Sequence, residues 1–325
     1  MTESLLLATL LLFGADATDR QVVIAVVGAP GNDEYGEQFA EWASRWQSAA
    51  TSAKADFKSI GTAELQDISD RETLQRQLEQ IEVESSEPVW LVLIGHGTFD
   101  GKVAKFNLRG ADVTANELAD WLKRFQRPVA VINCASSSGP FVTALAGDGR
   151  VVLSATKSGF EQNFARFGDY ISQTIADASF DLDKDEQTSL LEAFIAAAKG
   201  VEEFYESEGR LATEHALLED NGDGRGTPAD WFRGVRAIKA AKDGAVDGQL
   251  ANRVCLQRSE QENNLSEELR HERDELVAKI ESLRNRKGNM SADAYYLDLE
   301  TLMVALAKLY ASADVSVRIG TESNP

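Results

Sequence analysis

The sequence predicts an α/β fold, in which a mostly parallel sheet is flanked by helices and followed by a C-terminal helical hairpin. In the first half of the chain, β-branched hydrophobic runs, typical of buried parallel strands, alternate with helical patterns. Strand signals nearly vanish after Phe167, and the last part of the chain is polar and heptad-like. Strands alternating with helices imply a parallel sheet covered on both faces.

Four hydrophobic runs are predicted to be buried strands, at residues 21–28, 89–94, 128–133 and 150–156. Amphipathic patterns between and after them predict helices at residues 35–50, 70–81, 115–124, 170–178 and 190–205. A short strand is expected at 57–60 and a hairpin within 99–108, where Asp100-Gly101 is a turn sequence. A further helical stretch opens at Ser138.

The C-terminal part is predicted to be two antiparallel helices. Leucine and isoleucine at heptad spacing mark the first, from Leu265 to Leu283, and the second runs from Ala292 to Ala311. Such a hairpin also offers a surface for self-association. The predicted segments are a signal peptide (1–18), a main α/β domain (19–250) with an acidic helical part (168–235), the hairpin (256–312) and a tail (313–325).

Composition narrows the classes of function. The 325 residues are 43% hydrophobic and 26% charged, which is enough to bury a core, and the formal net charge is -20. The charge argues against nucleic acid as a partner and against docking on an anionic membrane, because both need clustered Lys and Arg. An acidic chain can attract cations such as Ca²⁺, although most of the charge serves solvation.

The N-terminus contains an apolar run, Leu5 to Phe13, that is too short to span a bilayer. It suits the hydrophobic region of a signal peptide, with small residues following at Gly14 and Ala15. No Lys or Arg precedes the run, whereas Glu3 does, so a buried strand or helix is the alternative. We expect a periplasmic or secreted protein if the segment is a signal peptide, and a cytoplasmic one otherwise.

Two residues share a position that favours catalysis. His96 follows one predicted buried strand and Cys134 follows the next, at the sheet edge where open α/β folds bind ligands. An imidazole beside a thiol lowers its pKa and later protonates the leaving amine. Backbone amides stabilise the oxyanion, and the natural donors are those of Gly97 and Cys134. No metal takes part in this chemistry.

The pattern of a hydrophobic strand ending in His96-Gly97, followed by one ending in Cys134, resembles the caspase/legumain/gingipain group of cysteine peptidases. The opening Val-Val-Gly-Ala-Pro-Gly-Asn-Asp-Glu-Tyr-Gly is similar to the legumain-like branch, including its bacterial members, and the resemblance covers about residues 21–170. It implies a caspase-like fold and an endopeptidase of protein or peptide substrates, with Cys134 as nucleophile and His96 as acid and base. Ser154 and Glu161 are the implied pocket residues.

Some features depart from that family. Asn133 precedes the cysteine, where Ala, Glu or Thr is common, and the loop from Gly28 to Gly36 has no basic residue. An asparaginyl preference is therefore not supported. Three alternatives stay open: Cys134 as a small core residue, a Cys134–Cys255 disulfide, and a non-catalytic binding or scaffold protein of the same fold.

Two acidic loops are candidate calcium sites. The first matches the EF-hand spacing with Asp181, Asp183, Asp185 and Glu192, although Glu186 stands where glycine is expected. The second has acceptors at Glu219, Asn221 and Asp223, followed by Gly224. Oxygen ligands at this density suit a structural Ca²⁺ ion, and the alternative is an acidic helix cap with an Asx-rich turn.

Overall fold

The computed structural model describes residues 20–64, 67–240, 242 and 245–322, with side chains described as far as residue 313. The predicted signal peptide lies outside the described residues. The strands are β1 (Val22–Val27), β2 (Asp56–Ile60), β3 (Val89–Ile94), β4 (Gly97–Phe99), β5 (Ala104–Phe106), β6 (Val113–Thr114), β7 (Val129–Asn133), β8 (Arg150–Ser154), β9 (Leu217–Glu219), β10 (Thr227–Pro228), β11 (Phe232–Arg233) and β12 (Arg236–Ala237). The helices are α1 (Asp33–Ser52), α2 (Asp70–Glu79), α3 (Ala115–Leu122), α4 (Gly139–Leu145), α5 (Phe167–Thr174), α6 (Leu190–Ser207), α7 (Glu260–Asn263), α8 (Glu267–Asn285) and α9 (Ala292–Glu322).

Seven strands form the central sheet, in the order β10-β9-β8-β7-β3-β1-β2. The five strands β8, β7, β3, β1 and β2 are parallel to one another. Strand β9 pairs in an antiparallel manner with both β8 and β10. The predicted α/β fold with a mostly parallel sheet flanked by helices is confirmed. The antiparallel edge was not predicted, because three residues of β9 and two of β10 are too few to show a strand pattern.

The two faces of the sheet bury separate hydrophobic layers. Successive strand residues point to opposite faces, so Val23 packs on one side and Ile24 on the other. Helices α1, α5 and α6 cover the first face, and helices α2, α3 and α4 cover the second. The continuous hydrophobic runs of the sequence are therefore explained by burial on both faces.

Capping side chains set where three of the helices begin. Ser69 at α2, Thr114 at α3 and Ser189 at α6 each accept the amide of the glutamate three residues later, whose carboxylate bonds back to the cap. Each pair satisfies two amides that the first turn leaves without partners. The predicted hairpin within 99–108 is also present, as β4 and β5.

The C-terminal helices α8 and α9 form the predicted hairpin, with a small core of their own around Leu276 and Leu309. The second helix continues to Glu322, beyond the end that the sequence pattern predicted at Ala311. The outer face of α9 exposes Leu297 and Met303, and self-association through it stays a prediction. None of the helices in the described ranges is long and apolar enough to cross a membrane.

Candidate active site at the ends of β3 and β7

The two strands that carry the candidate dyad are neighbours. β3 and β7 run parallel in one register, with Leu93 opposite Asn133. Their carboxyl ends therefore meet at one edge of the sheet, as the sequence predicted. The residues that follow the two strands, however, have different surroundings.

His96 lies at the rim of this edge and is partly exposed. Its Nε2 is 3.1 Å from the carbonyl oxygen of Pro30, in the loop after β1. Three aromatic rings surround the imidazole edge-on, with centroid distances of 4.9 Å to Tyr35, 5.2 Å to Phe39 and 6.0 Å to Phe164. One ring nitrogen is thus held by a carbonyl, and packing fixes the plane of the ring.

Cys134 lies in the core below that rim, with 1% of its surface exposed. Its amide still belongs to the sheet, since it donates to the Leu93 carbonyl at 2.9 Å. The side chain packs under α5, where a Cβ added to Gly168 would come within 2.8 Å of the Cys134 Cβ. Burial, and after it the charge of Glu214, raises the pKa of the thiol. No hydrogen bond joins this thiol to His96 within the described residues.

The predicted oxyanion hole is closed. The Gly97 amide donates to Ser136 Oγ at 3.3 Å, and the Cys134 amide is used by Leu93. A Cβ on Gly97 would lie 2.2 Å from the Ser136 carbonyl oxygen, so glycine is required here for the approach of Ser136. The expectation that both amides face a substrate was therefore wrong for this conformation.

Ser136 is the residue that lies level with His96. Continuing the register from Leu93 opposite Asn133 places residue 96 opposite residue 136. Ser136 contacts the residue after His96, because its Oγ donates to the Gly97 carbonyl at 3.2 Å. Sequence reasoning missed Ser136 because it took the first nucleophilic side chain after the strand, and counting the strand register would have identified it.

The two predicted pocket residues already have polar partners in the described structure. Ser154 is fully buried in the sheet, and its hydroxyl donates to the Thr156 carbonyl at 2.9 Å. Glu161 binds His215, with 2.6 Å between the carboxylate and Nδ1. A role for either residue in substrate binding stays a prediction.

A cavity of about 430 Å³ lies near His96, although His96 itself is not among its lining residues. Tyr35 and Phe164, which pack on the imidazole, form one of its walls. On the other wall the Arg166 guanidinium stacks on the Phe204 ring, with 4.2 Å to the centroid. Neither Arg166 nor Arg210, which also lines the cavity, forms an ion pair with a carboxylate of the described residues. The lining therefore combines aromatic rings with cationic groups, and it also includes the acidic Glu34 and Asp169.

Glu214 is a buried carboxylate behind this cavity. It accepts hydrogen bonds from the amides of Arg166 and Phe167, where α5 begins, and from the Tyr205 hydroxyl. Burial raises its pKa to about 7, although these donors act in the opposite direction. The residue was not predicted, because its partners are some 47 positions away in the chain.

The structure also decides the disulfide alternative. Cys134 and Cys255 are both buried and both free, so no bond joins them. Burial raises the pKa of the Cys255 thiol as well. Neither cysteine is therefore poised as a thiolate, since thiolates need a nearby positive charge or helix N-terminus.

The first acidic loop brings carboxylates together, as predicted. Oxygens of Asp181, Asp183 and Asp185 all lie within 4.8 Å of one another. Glu192 does not join them as a free ligand, because its oxygens accept the amides of Leu182 and Ser189. Burial and the neighbouring carboxylates raise the pKa of Asp183 to about 6.

The second acidic loop is flanked by the strands β9 and β10, whereas an EF-hand loop lies between two helices. Glu219 is fully buried, and its Oε1 accepts the Gly224 amide at 3.3 Å. Asn221 Oδ1 accepts the amide of Asp223 at 2.9 Å. The three predicted acceptors therefore lie along one tight turn.

Comparison with known proteins gives likeness in structure alone. No protein family matches the sequence, and no curated protein matches it. The Drosophila initiator caspase Dronc is 13% identical over 63% of this chain and 81% of its own, with a TM-score of 0.41. Caspase-1 from Spodoptera frugiperda is 9% identical over 62% of this chain and 86% of its own, with a TM-score of 0.39.

The mixed sheet and its flanking helices are consistent with the caspase-like fold that the sequence resemblance implies. The closer likeness to the legumain-like branch stays a prediction.

Proposed function

We propose that this protein hydrolyses peptide bonds at the edge formed by β3 and β7, with His96 as the acid and base. One observation carries the proposal. The His96 ring is fixed between the Pro30 carbonyl and three aromatic rings, two of which, Tyr35 and Phe164, also line a cavity of about 430 Å³. If Nε2 carries the proton that binds Pro30, the lone pair of Nδ1 is free to accept a proton from a nucleophile.

The nucleophile comes from the small-residue segment 134–138. The sequence names Cys134, and the register of β3 and β7 favours Ser136. Cys134 would need the segment to rise out of the core, because its thiol is buried under α5. Ser136 is also buried, and it would need to become accessible and to exchange its hydrogen bonds with Gly97 for one with the imidazole.

In the proposed reaction, the nucleophile attacks the peptide carbonyl carbon and passes its proton to His96. The imidazolium then protonates the leaving amine, and water attacks the acyl-enzyme with His96 as base. Release of the Gly97 amide from Ser136 frees a donor for the oxyanion. The described conformation is on this account a closed state that substrate opens.

The competing function is peptide binding without hydrolysis. The buried thiol and the occupied amides favour it, and the aromatic and cationic cavity would serve both functions. Export of the protein and the identity of its peptide substrate stay predictions.

Covalent trapping tests the proposal and identifies the nucleophile. The full chain is treated with peptidyl acyloxymethyl ketones, which trap thiols, and with peptidyl fluorophosphonates, which trap hydroxyls, and the modified residue is mapped by mass spectrometry. We expect a label on Ser136 or Cys134 that His96→Ala removes and His215→Ala keeps. Absence of any label, or a label confined to Cys255 or independent of His96, would overturn hydrolysis at this edge.

A further inference from the structure

Helix α9 carries apolar side chains on the face that the hairpin core does not use. Leu302 and Leu309 pack into that core, on the side of α9 that meets α8. The opposite side holds four of the eleven exposed large hydrophobic residues of the described ranges, namely Tyr296, Leu297, Met303 and Val304. Apolar residues scattered singly over a surface are ordinary, whereas a cluster on one helix face indicates contact with another molecule.

The centre of this face is a row of five exposed residues. They recur every three or four positions along the helix and therefore lie in line, in the order Leu297, Glu300, Val304, Lys308 and Ala311. We call them the outer row of α9. Val304 is its middle member, with one charged and one apolar residue on each side.

The outer row has opposite charges at equal distances from Val304. Glu300 lies four residues before it and Lys308 four residues after it. Neither forms an ion pair with a charged group of the described residues. If two copies of α9 meet antiparallel with Val304 at the centre, Glu300 of each copy faces Lys308 of the other. In a parallel pair, each charge would face its like, which is unfavourable.

Side-chain size follows the same arrangement. Leu297, seven residues before Val304, is large and 66% exposed, whereas Ala311, seven residues after it, is small. Antiparallel pairing sets the leucine of each copy against the alanine of the other, so that large and small side chains fit together along the contact. Charge and size, which are independent properties of the row, thus favour the same orientation.

We propose that two copies of this chain associate through the outer rows of their α9 helices, antiparallel about a two-fold axis at Val304. Such a contact uses the same surface on both copies, so it closes at a dimer. The apolar residues supply the affinity, because exposed ion pairs contribute little, and the charges select the orientation. One helix from each copy makes a small interface, so the dimer is reversible. The proposal does not depend on hydrolysis at His96.

Cysteine cross-linking of the full chain tests the contact and its orientation. Val304→Cys places both new thiols at the axis, and mild oxidation should link the copies into a covalent dimer. Leu297→Cys should not link, because its two thiols would lie about 21 Å apart along the helices, whereas a disulfide needs Cα atoms within about 7 Å. Leu297→Cys with Ala311→Cys should restore the link. The wild type is the background control, since Cys134 and Cys255 are buried.

Sedimentation velocity tests the role of the charges. The wild type should change from monomer to dimer as its concentration rises to about 200 μM. Val304→Glu should weaken association at least about tenfold, because it sets two like charges at the axis. Glu300→Lys and Lys308→Glu should each weaken it at least about threefold at low salt, and the double variant should recover the wild-type Kd.

Ile238→Glu is the matched control, because it adds the same charge at an apolar position outside the hairpin that is 57% exposed. It should leave the dimer unchanged. Three results would overturn the proposal: a wild type that stays monomeric at about 200 μM, a dimer that Val304→Glu leaves unchanged, and cross-linking of Leu297→Cys as efficient as that of Val304→Cys. Single charge reversals without effect would contradict the antiparallel register.

Discussion

The residues that follow β3 and β7 have similar sequence surroundings, but they differ in how far they are buried in the structure. Each strand is hydrophobic, and each is followed closely by a residue capable of chemistry. The histidine after β3 reaches the rim, where it meets a carbonyl and aromatic rings. The cysteine after β7 stays in the core, because it comes one residue after the last paired position and still donates to the sheet.

The difference shows that distance past the strand end decides which side chain is available. His96 lies two residues beyond β3, whereas Cys134 lies one beyond β7. Cys134 is therefore nearer to the body of the sheet than His96. Helix α5 covers the cysteine, because Gly168 packs against its side chain. Ser136 lies two residues farther along the chain than Cys134, and it is hydrogen-bonded to Gly97.

The largest expected effect concerns Glu214, which lies behind the end of β7. Its pKa is about 7 in the folded protein, against an ordinary value of 4.5, so the folded state holds more protons between these pH values. The free energy of unfolding should therefore fall as the pH rises from 4.5 to 7, by about 3 kcal/mol from this group.

Chemical denaturation at several pH values, with wild type and Glu214→Gln, checks this dependence. The difference in slope isolates Glu214, since other buried carboxylates such as Asp247 contribute equally to both proteins. We expect the free energy of unfolding of Glu214→Gln to fall less between pH 4.5 and 7 than that of the wild type. Equal slopes would show that the end of β7 is more open to solvent than the structure indicates.

A smaller effect is expected at Cys134 itself. Cys134→Ala should cost about 1 kcal/mol of unfolding free energy, because it leaves a small cavity under α5. Cys134→Ser should cost about 2 kcal/mol, since it also buries a hydroxyl without a partner. Urea denaturation measures both, and Cys255→Ala and Cys255→Ser form the matched pair. If serine were tolerated better than alanine at position 134, the thiol would lie in a polar, accessible place.

The sequence was sufficient to predict the parallel core of the fold. The buried strands, the helices between them and the C-terminal hairpin all carry periodic patterns that local physics produces. The position of His96 could be predicted for the same reason, because a strand end is a local feature. The meeting of β3 and β7 also followed, since parallel strands in this kind of sheet place their carboxyl ends at one edge.

Features that depend on long-range packing could not be predicted. The depth of Cys134 is set by Gly168, whose position on α5 no pattern near the cysteine reveals. Glu214 pairs with amides far away in the chain, and β9 is too short to recognise. Ser136 was within reach of sequence reasoning, but only by counting the register between two strands rather than by looking for a thiol.

The rate of peptide cleavage by wild type, His96→Ala and His215→Ala tests the central claim most directly. The full chain would be assayed on a peptide library, and kcat/KM would be compared for the best substrate. We predict that His96→Ala lowers kcat/KM at least about 100-fold, as loss of an acid–base group does, while His215→Ala keeps it within a few fold. No cleavage by the wild type, or cleavage that survives in His96→Ala, would contradict the claim that this edge of the sheet is a peptidase site.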